Sequence, residues 1–258
     1  MRRSFLLPLV LILGACAGNS ANKYPYPAQF TTVEDACPCE LPTPPAKDSK
    51  IYKKEIASII ATQKKLTPAQ KQTIAAEDHI TPSMIVTPVL GTSYTEARYP
   101  ALYTLLKHAA SDAWRMGDNA QDFFGRTRPW LSDNRVEILV SKITRPSYPS
   151  GHSTTNHVWA NILADLAPAK RQALFKRANE IGMHRVAAGV HYPSDVKAGK
   201  AYAATIYAAM KKNPAFQREL AAARAELKAP RPANDNAKPA MAANCNAVEG
   251  TTNVVACH

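Results

Sequence analysis

Apolar residues recur at helical spacing through most of the chain, and this periodicity predicts an all-α protein. The longest helical pattern runs from Thr95 to Phe124, and one face of it carries Leu102, Leu105, Leu106, Ala109, Ala113 and Trp114. Helices are also predicted to begin at Ser49, a natural N-cap, and at Thr67-Pro68, with Pro in the first helical position. Further helices are expected over residues 150–166, 168–188, 193–211 and 214–228. Strand-like alternation is scarce, and residues 136–143 are short and ambiguous.

The pattern divides the chain into four segments. Residues 1–15 have the composition of a signal peptide, and residues 16–48 are polar and rich in Pro, as expected of a linker. Residues 49–228 form one predicted helical-bundle domain with a single core. Residues 229–258, which include Pro-Arg-Pro and Asn-Asp-Asn, have the composition of a disordered tail.

The first segment carries an export signal. A basic start is followed by an apolar run, Phe5 to Leu13, that is too short to span a bilayer as a permanent helix. It ends in Leu13-Gly14-Ala15-Cys16, which resembles a bacterial lipobox, so Cys16 is predicted to become the lipidated first residue of the mature protein. The alternative is an ordinary signal cut near Ala15 or Ala17. Because Ala17 rather than Asp follows the Cys, we expect a periplasmic protein held at the outer membrane by this lipid anchor.

The charge balance narrows the range of ligands. A formal net charge of +12 suits anionic small molecules or an anionic lipid surface. Nucleic acid is not indicated, because no basic run is interleaved with aromatic residues. The sequence does not fix the oligomeric state, and a homo-oligomer is compatible with it.

Four cysteines follow Cys16, namely Cys37, Cys39, Cys245 and Cys257. In an oxidising compartment they allow three pairings, among which the sequence does not decide. Because both pairs lie outside the predicted core, bridges from the N-terminal arm to the C-terminal tail are the favoured interpretation. A metal or redox motif at Cys37-Pro38-Cys39 is the weaker one, since no matching helix start follows it.

The chemistry-bearing residues lie in three short segments, one of which is Pro149-Ser150-Gly151-His152. Ser150 is a natural N-cap, so the free amides of the following first turn point outward and can bind phosphate oxygens. Gly151 lets the backbone approach such an anion closely, and His152 then lies beside it. Alone, this tetrapeptide is more often a simple turn and helix cap.

The other two segments add arginines and a second histidine. His191 precedes a predicted helix whose first turn contains Asp195, and this carboxylate can bond to one imidazole nitrogen and expose the other as a nucleophile. Arg128 and Arg185 offer planar guanidinium groups suited to bidentate phosphate contacts. Each feature also has an ordinary structural explanation: a surface His, a first-turn Asp favoured by the helix dipole, and the spare arginines of a basic protein.

In combination the three segments resemble the type 2 phosphatidic acid phosphatase and vanadium haloperoxidase superfamily. Its pattern is Lys, six residues and Arg-Pro; then Pro-Ser-Gly-His; then Ser-Arg, five residues, His, three residues and Asp. The matching positions are Arg128-Pro129, Pro149 to His152, Arg185, His191 and Asp195. The likeness covers about residues 95–211 and is greatest to the bacterial class A nonspecific acid phosphatases. It implies a single helical bundle of the phosphatidic acid phosphatase/haloperoxidase type.

Two positions depart from the family pattern. His184 stands where Ser is usual, at a tolerant position. Gln121 replaces the Lys of the first motif, about two helical turns before Arg128 and on the same face. Gln donates a hydrogen bond but carries no charge, which puts phosphate affinity and substrate preference in question. Arg126 lies on a different helical face and reaches the site only if the helix ends early.

The resemblance implies an exported acid phosphatase that hydrolyses phosphorylated small molecules without a metal or other cofactor. The positions implied to hold the phosphoryl group are Arg128, Arg185, Ser150, Gly151 and, in place of the family Lys, Gln121. His191, oriented by Asp195, is implied to attack phosphorus while His152 protonates the leaving alkoxide. Water activated by His152 then cleaves the phosphohistidine.

Several alternatives stay open. Within the superfamily, the chain could instead act on lipid phosphates or pyrophosphates, or as a vanadate-dependent peroxidase, although the body looks small for a peroxidase. From another class, it could be a non-catalytic envelope lipoprotein that binds anionic glycolipid, its phosphate pocket having decayed at Gln121. A metal site built on His184, His191 and Asp195 is the remaining alternative.

Overall fold

The computed structural model describes residues 26–229, and within them the chain forms nine α-helices and no strand. The helices are α1 (Lys50–Gln63), α2 (Pro68–Ala76), α3 (Ser83–Leu90), α4 (Pro100–Phe124), α5 (Pro129–Ser132), α6 (Gly151–Leu166), α7 (Arg171–Ala187), α8 (Pro193–Met210) and α9 (Pro214–Lys228). Short 3-10 turns lie at Pro38–Glu40 and Pro168–Lys170. The expectation of an all-α fold is confirmed.

Capping residues and prolines explain most helix starts. Ser49 caps α1 by accepting from the Tyr52 amide, and Thr67 forms a capping box at the start of α2. α4 begins at Pro100 and not at Thr95, because Pro suits the first helical position and disfavours helix in the residue before it. The sequence does not predict α3, because this helix has only 8 residues and contains an internal Pro.

The ambiguous residues 136–143 form neither a helix nor a strand. Gln63, at the end of α1, uses its side-chain amide to donate to the Glu137 carbonyl at 2.7 Å and to accept from the Glu137 amide at 3.0 Å. The Leu139 amide donates to the Ala188 carbonyl just after α7. Three backbone polar groups of this segment are therefore satisfied at the ends of α1 and α7 instead of by a partner strand.

The main core lies between α4 and the helices that pack on it, α6, α8 and α9. Leu102, Leu105 and Leu106 of α4 have no exposed surface, and each such burial is worth roughly 1.5–3 kcal/mol. Trp114 was predicted to share this face. It is instead half-buried and lines a cavity beside the core.

Residues 26–48 pack against the helical bundle, which differs from the expectation of a linker. Phe30, Ala36 and Leu41 are buried in the main core. Asp112 of α4 has no exposed surface and accepts from three consecutive amides of this arm, those of Gln29, Phe30 and Thr31. Pro-rich sequence marks the arm as irregular, but irregular backbone can still be fixed when its amides find buried acceptors.

The cysteines pair differently from the favoured interpretation. Cys37 is bonded to Cys39, two residues away, so neither of them ties the arm to the tail. Cys16, Cys245, Cys257, the predicted signal and most of the predicted tail lie outside the described residues. Within residues 26–229, no helix is both long and apolar enough to cross a membrane.

Candidate active site

The N-terminus of α6 forms one wall of the site. Ser150 caps the helix, its hydroxyl accepting from the Ser153 amide, while the Thr154 amide donates to the Ser150 carbonyl. The amides of Gly151 and His152 lie in the first turn of α6, where the helix itself provides no carbonyl to accept from them. Gly199 of α8 brings the two helices together here, since a Cβ on it would lie 2.7 Å from the Ser150 carbonyl oxygen.

His191 lies in the junction between α7 and α8 and is 2% exposed. Its Nδ1 is 2.8 Å from the Ser147 carbonyl oxygen. A carbonyl only accepts, so Nδ1 carries the proton and Nε2 keeps its lone pair, 3.4 Å from Nη1 of Arg128. Burial, followed by the charges of Arg128 and Arg185, holds the pKa of His191 well below its ordinary value.

Asp195 does not orient His191 by the hydrogen bond that its spacing predicts. Its Oδ2 is 3.4 Å from Nδ1 of His191, farther than the Ser147 carbonyl, and accepts from the Tyr192 amide at 2.8 Å. The carboxylate belongs to the first turn of α8 and therefore faces its own helix start as well as the imidazole. Burial raises the pKa of Asp195 to about 6, against the opposing charge of Arg126.

Arg126 and Glu55 stand behind Asp195 and were not among the predicted site residues. Gly125, with φ of 60°, ends α4 in a left-handed turn, so the chain changes direction and the Arg126 side chain enters the protein. Its Nη1 donates to Asp195 Oδ1 and to the Ser194 hydroxyl, and its Nη2 donates to Glu55 Oε2 at 3.0 Å. One feature of the sequence pointed to Arg126, since this residue can reach the site if the long helix ends early. Nothing in the sequence indicated Glu55 of α1.

His152 contributes the second imidazole of the site. Its Nε2 lies 3.1 Å from the carbonyl oxygens of both Glu77 and Asp78, so Nε2 carries the proton and Nδ1 remains the basic atom. Burial, with the charges of Arg185 and His191, lowers the pKa of His152 well below its ordinary value. The loop after α2 thus fixes the tautomer of a residue on α6.

The two predicted arginines are buried beside these histidines. Arg128 donates to the carbonyls of Arg145, Val190 and Pro146, which hold its guanidinium rigidly, and burial lowers its pKa to about 10. Arg185 is 0% exposed and donates to Asp78, while its Nε and Nη1 have no hydrogen-bond partner within residues 26–229. Buried donors of this kind are normally satisfied, so an anion is the natural acceptor for them.

Part of this set lines one cavity of about 300 Å³. Arg185, Ser150 and Asp195 are not among its lining residues, although Arg185 is close enough to lower the pKa of both histidines. Its wall includes Arg128, Gly151, His152 and His191, together with Gln121 in the last turn of α4. Because α4 ends at Phe124 and Arg128 precedes α5, Gln121 and Arg128 do not share a helical face as predicted. The side-chain amide of Gln121 donates to the Pro149 carbonyl at 3.0 Å. The cavity therefore has cationic and neutral donors on several sides, which is the arrangement that favours a tetrahedral oxyanion.

His184 does not join His191 and Asp195, the other two donors of the alternative metal site. The His184 side chain points to Glu77, with its Nδ1 2.7 Å from Glu77 Oε2. His191 instead uses its Nδ1 to donate to the Ser147 carbonyl. In the described part of the chain, no group of three or more His, Cys, Asp or Glu residues is placed to hold a metal ion.

Known proteins with similar sequences and structures were compared with this chain. A sequence model of the PAP2 superfamily matches residues 101–218. The non-specific acid phosphatase of Salmonella typhimurium is 32% identical over 197 residues, 72% of this chain and 78% of that protein. That of Salmonella typhi is 30% identical over 233 residues, 86% of this chain and 90% of that protein. A bacterial vanadium-dependent iodoperoxidase superposes with a TM-score of 0.54 at 19% identity, over 69% of this chain and 53% of that one.

The fold and the site together define an all-α protein with a buried site suited to a phosphate-like oxyanion. The chain belongs to the PAP2 superfamily, as the superfamily match and the two Salmonella relatives show. The iodoperoxidase, about half of whose length this chain spans, shares the fold.

Proposed function

We propose that this chain is an acid phosphatase that hydrolyses phosphate monoesters, without a metal, through a phosphohistidine on His191. The observation that carries the proposal is the lone pair of His191 Nε2, 3.4 Å from Arg128 Nη1, in the wall of an anion-binding cavity. A histidine held in this tautomer beside an arginine is prepared for attack on a bound phosphoryl group. The two Salmonella relatives, both named as acid phosphatases, support the same activity.

Phosphate binding needs little rearrangement in this site. Arg128 is fixed by three carbonyls, and Arg185 has two unpartnered donors among the described residues. The first-turn amides of α6, those of Gly151 and His152, add the positive end of a helix dipole. Gln121 supplies a neutral donor where the family pattern has Lys, so the cavity carries one positive charge fewer.

The reaction then takes two steps. Nε2 of His191 forms a bond to phosphorus as the ester P–O bond breaks, and the leaving alkoxide takes a proton from Nδ1 of protonated His152. Water next attacks the phosphohistidine and gives one proton to the same Nδ1, and cleavage of the P–N bond restores the lone pair of His191. Arg128 and Arg185 stabilise the charge on the phosphoryl oxygens in both steps.

The place of action is proposed from the sequence. The signal segment and the lipobox ending at Cys16 support export and attachment to the outer membrane, facing the periplasm. Phosphorylated small molecules that reach this compartment are then the substrates. The net charge of +12, which falls to +10 when Arg2 and Arg3 leave with the signal, suits their capture.

The test is hydrolysis of p-nitrophenyl phosphate across pH in the presence of EDTA. We expect turnover to persist and kcat/KM to be maximal below about pH 6.5, the ordinary pKa of His. The reason is that the pKa values of His152 and His191 are both lowered, so His152 loses its acidic proton as the pH rises through the lowered value. EDTA-abolished turnover would refute the metal-free mechanism.

A matched pair of variants assigns the activity to the site. His191→Ala should abolish turnover, because a lost nucleophile is not replaced by better binding. His108→Ala, at a histidine that pairs with Glu219 and lies outside the cavity, should retain it. A His191→Ala protein that turns over at the wild-type rate would end the proposal.

A further inference from the structure

The cavity of the proposed active site extends beyond the groups that hold phosphate. Ile80, Trp114 and Ile143 also line it, and all three are half-buried. None of them is used by the phosphoryl-transfer steps. Apolar side chains that line a polar cavity, where water would otherwise solvate them, provide favourable contact for an apolar part of a ligand.

The geometry of α4 relates this apolar wall to the phosphate position. Trp114 precedes Gln121 by seven residues, which places the two side chains on the same helical face about 10 Å apart. Gly117 lies between them on that face and also lines the cavity. A Cβ at Gly117 would meet nothing within 4 Å, so the path from Gln121 to Trp114 is open.

The charges near this path are already paired. Arg145, which lines the cavity, forms ion pairs with Asp118 at 3.1 Å and Asp122 at 2.9 Å. A second cavity of about 240 Å³ shares Ile80 and Trp114 in its lining, and its Lys107 pairs with Glu96. A second phosphate at this end of the cavity would have to compete with these carboxylates, so an uncharged group is favoured.

Trp114 offers both a flat surface and a donor. Its Nε1 is buried and has no hydrogen-bond partner in the described part of the chain. Indole rings stack well on other aromatic rings, and a buried N–H gains from a ligand acceptor. The volume of about 300 Å³ is at the lower end for small-molecule sites, which suits a ring of modest size better than long acyl chains.

We propose that Trp114, Ile80 and Ile143 form a leaving-group subsite that selects phosphate monoesters of neutral, flat aromatic groups. The phosphoryl group lies among Arg128, His152 and His191, and the ring passes over Gly117 to contact Trp114. This inference rests on the proposed function, because it assumes that the cavity binds a phosphate ester.

The test measures binding of phosphonates, which are not hydrolysed, by isothermal titration calorimetry. Wild-type protein should bind benzylphosphonate about tenfold more tightly than methylphosphonate, the size expected for one aromatic stacking contact with its buried area. Trp114→Leu, which keeps an apolar side chain in place, should remove most of this advantage and leave methylphosphonate affinity unchanged. Trp114→Phe should keep much of it. Phe123→Ala, at a 63% exposed ring on the same helix, is the control and should change neither affinity.

The outcomes separate the subsite from the proposed function. If wild-type protein binds neither methylphosphonate nor inorganic phosphate, the proposed function itself fails. If both bind and the benzyl group adds no affinity, or if Trp114→Leu weakens both phosphonates equally, the subsite is refuted while the phosphate site stands. An equal gain by octylphosphonate would overturn the selection of aromatic rings.

Discussion

Gln121 is a neutral donor in the wall of a cavity that also contains Arg128 and Arg145. It is 5% exposed, and its amide is held by the Pro149 carbonyl, one residue before the cap of α6. An amide can bond to a phosphate oxygen, but a charge-assisted bond is about twice as strong. We therefore expect this residue to weaken phosphate binding relative to a Lys and to leave the proposed nucleophile, His191, in place.

Restoring the cation should strengthen binding of phosphate. Gln121→Lys adds a charged donor to the same wall, worth roughly 1 kcal/mol, or a several-fold change in affinity. We expect a lower KM for simple phosphate monoesters and tighter inhibition by vanadate, measured by steady-state kinetics.

The matched control is Asn119→Lys, which adds the same charge at an exposed position of α4 outside this cavity. Equal effects of the two substitutions would show that net charge, and not the position of Gln121, governs binding. Unchanged phosphate affinity in Gln121→Lys would also contradict the account.

At this scale the sequence predicts some of the residues that line the cavity, but not the partners that fix them. His152, His191 and Arg128 come together as their spacings and the resemblance imply. The tautomers depend on backbone carbonyls of Ser147, Glu77 and Asp78. A carbonyl is present in every residue, so no side-chain pattern distinguishes these three.

The end of α4 connects two distant elements of the fold. Because Gly125 turns the chain, Arg126 lies between Glu55 of α1 and Asp195 of α8, and its guanidinium is 3.8 Å from the centre of the Tyr192 ring. The side chains of all three charged residues are less than a tenth exposed. A buried cation between two carboxylates stabilises their charges, and its loss leaves both uncompensated.

Removing this cation should destabilise the protein strongly. Arg126→Met is expected to lower the free energy of unfolding by about 3–5 kcal/mol, as measured by urea denaturation. Arg135→Met, which breaks the ion pair with Asp133 at a side chain 70% exposed, is the control and should cost less than about 1 kcal/mol.

A double variant, Arg126→Met with Glu55→Met, should recover part of the loss, because one unpaired carboxylate is removed. Similar small effects of Arg126→Met and Arg135→Met would show that the buried cluster does not hold α1 to the site.

Element boundaries could be predicted where a cap or a proline marks them, as at Ser49, Thr67 and Pro193. The docking of α1 beside the site could not. The apolar periodicity of α1 indicates a buried face but not which helix covers that face. Glu55 looks like an ordinary polar position in the sequence, and only the structure shows that it accepts from Arg126.

At the scale of the whole molecule, residues 26–48 form a packed arm and not a free linker. Phe30 and Leu41 lie in the main core, and Tyr148, two residues before the α6 cap, donates to the Pro42 carbonyl. The polar composition of these residues predicts a linker, but their packing depends on Asp112, a buried acceptor far along the chain. Attachment at Cys16 would therefore leave only a short segment between the membrane and the folded body.

The proposed lipid anchor at Cys16 has a direct test. Cys16→Ser should move the protein from the membrane fraction to the soluble periplasmic fraction after cell lysis, without changing turnover of soluble esters. Ala17→Asp, which leaves the lipid attachment in place, should keep the protein on a membrane and serves as the control. A wild-type protein that is already soluble after signal cleavage would refute the anchor.

The measurement that tests the central claim most directly is capture of the covalent intermediate. Wild-type protein is mixed with an aryl ester of ³²P-phosphate, quenched within its first turnover in alkali, where phosphohistidine survives, and digested for mass spectrometry. The account predicts one phosphoryl group on the peptide that contains His191, lost on acid treatment and absent from His191→Ala. Turnover without label on any histidine, or label on a residue other than His191, would contradict it.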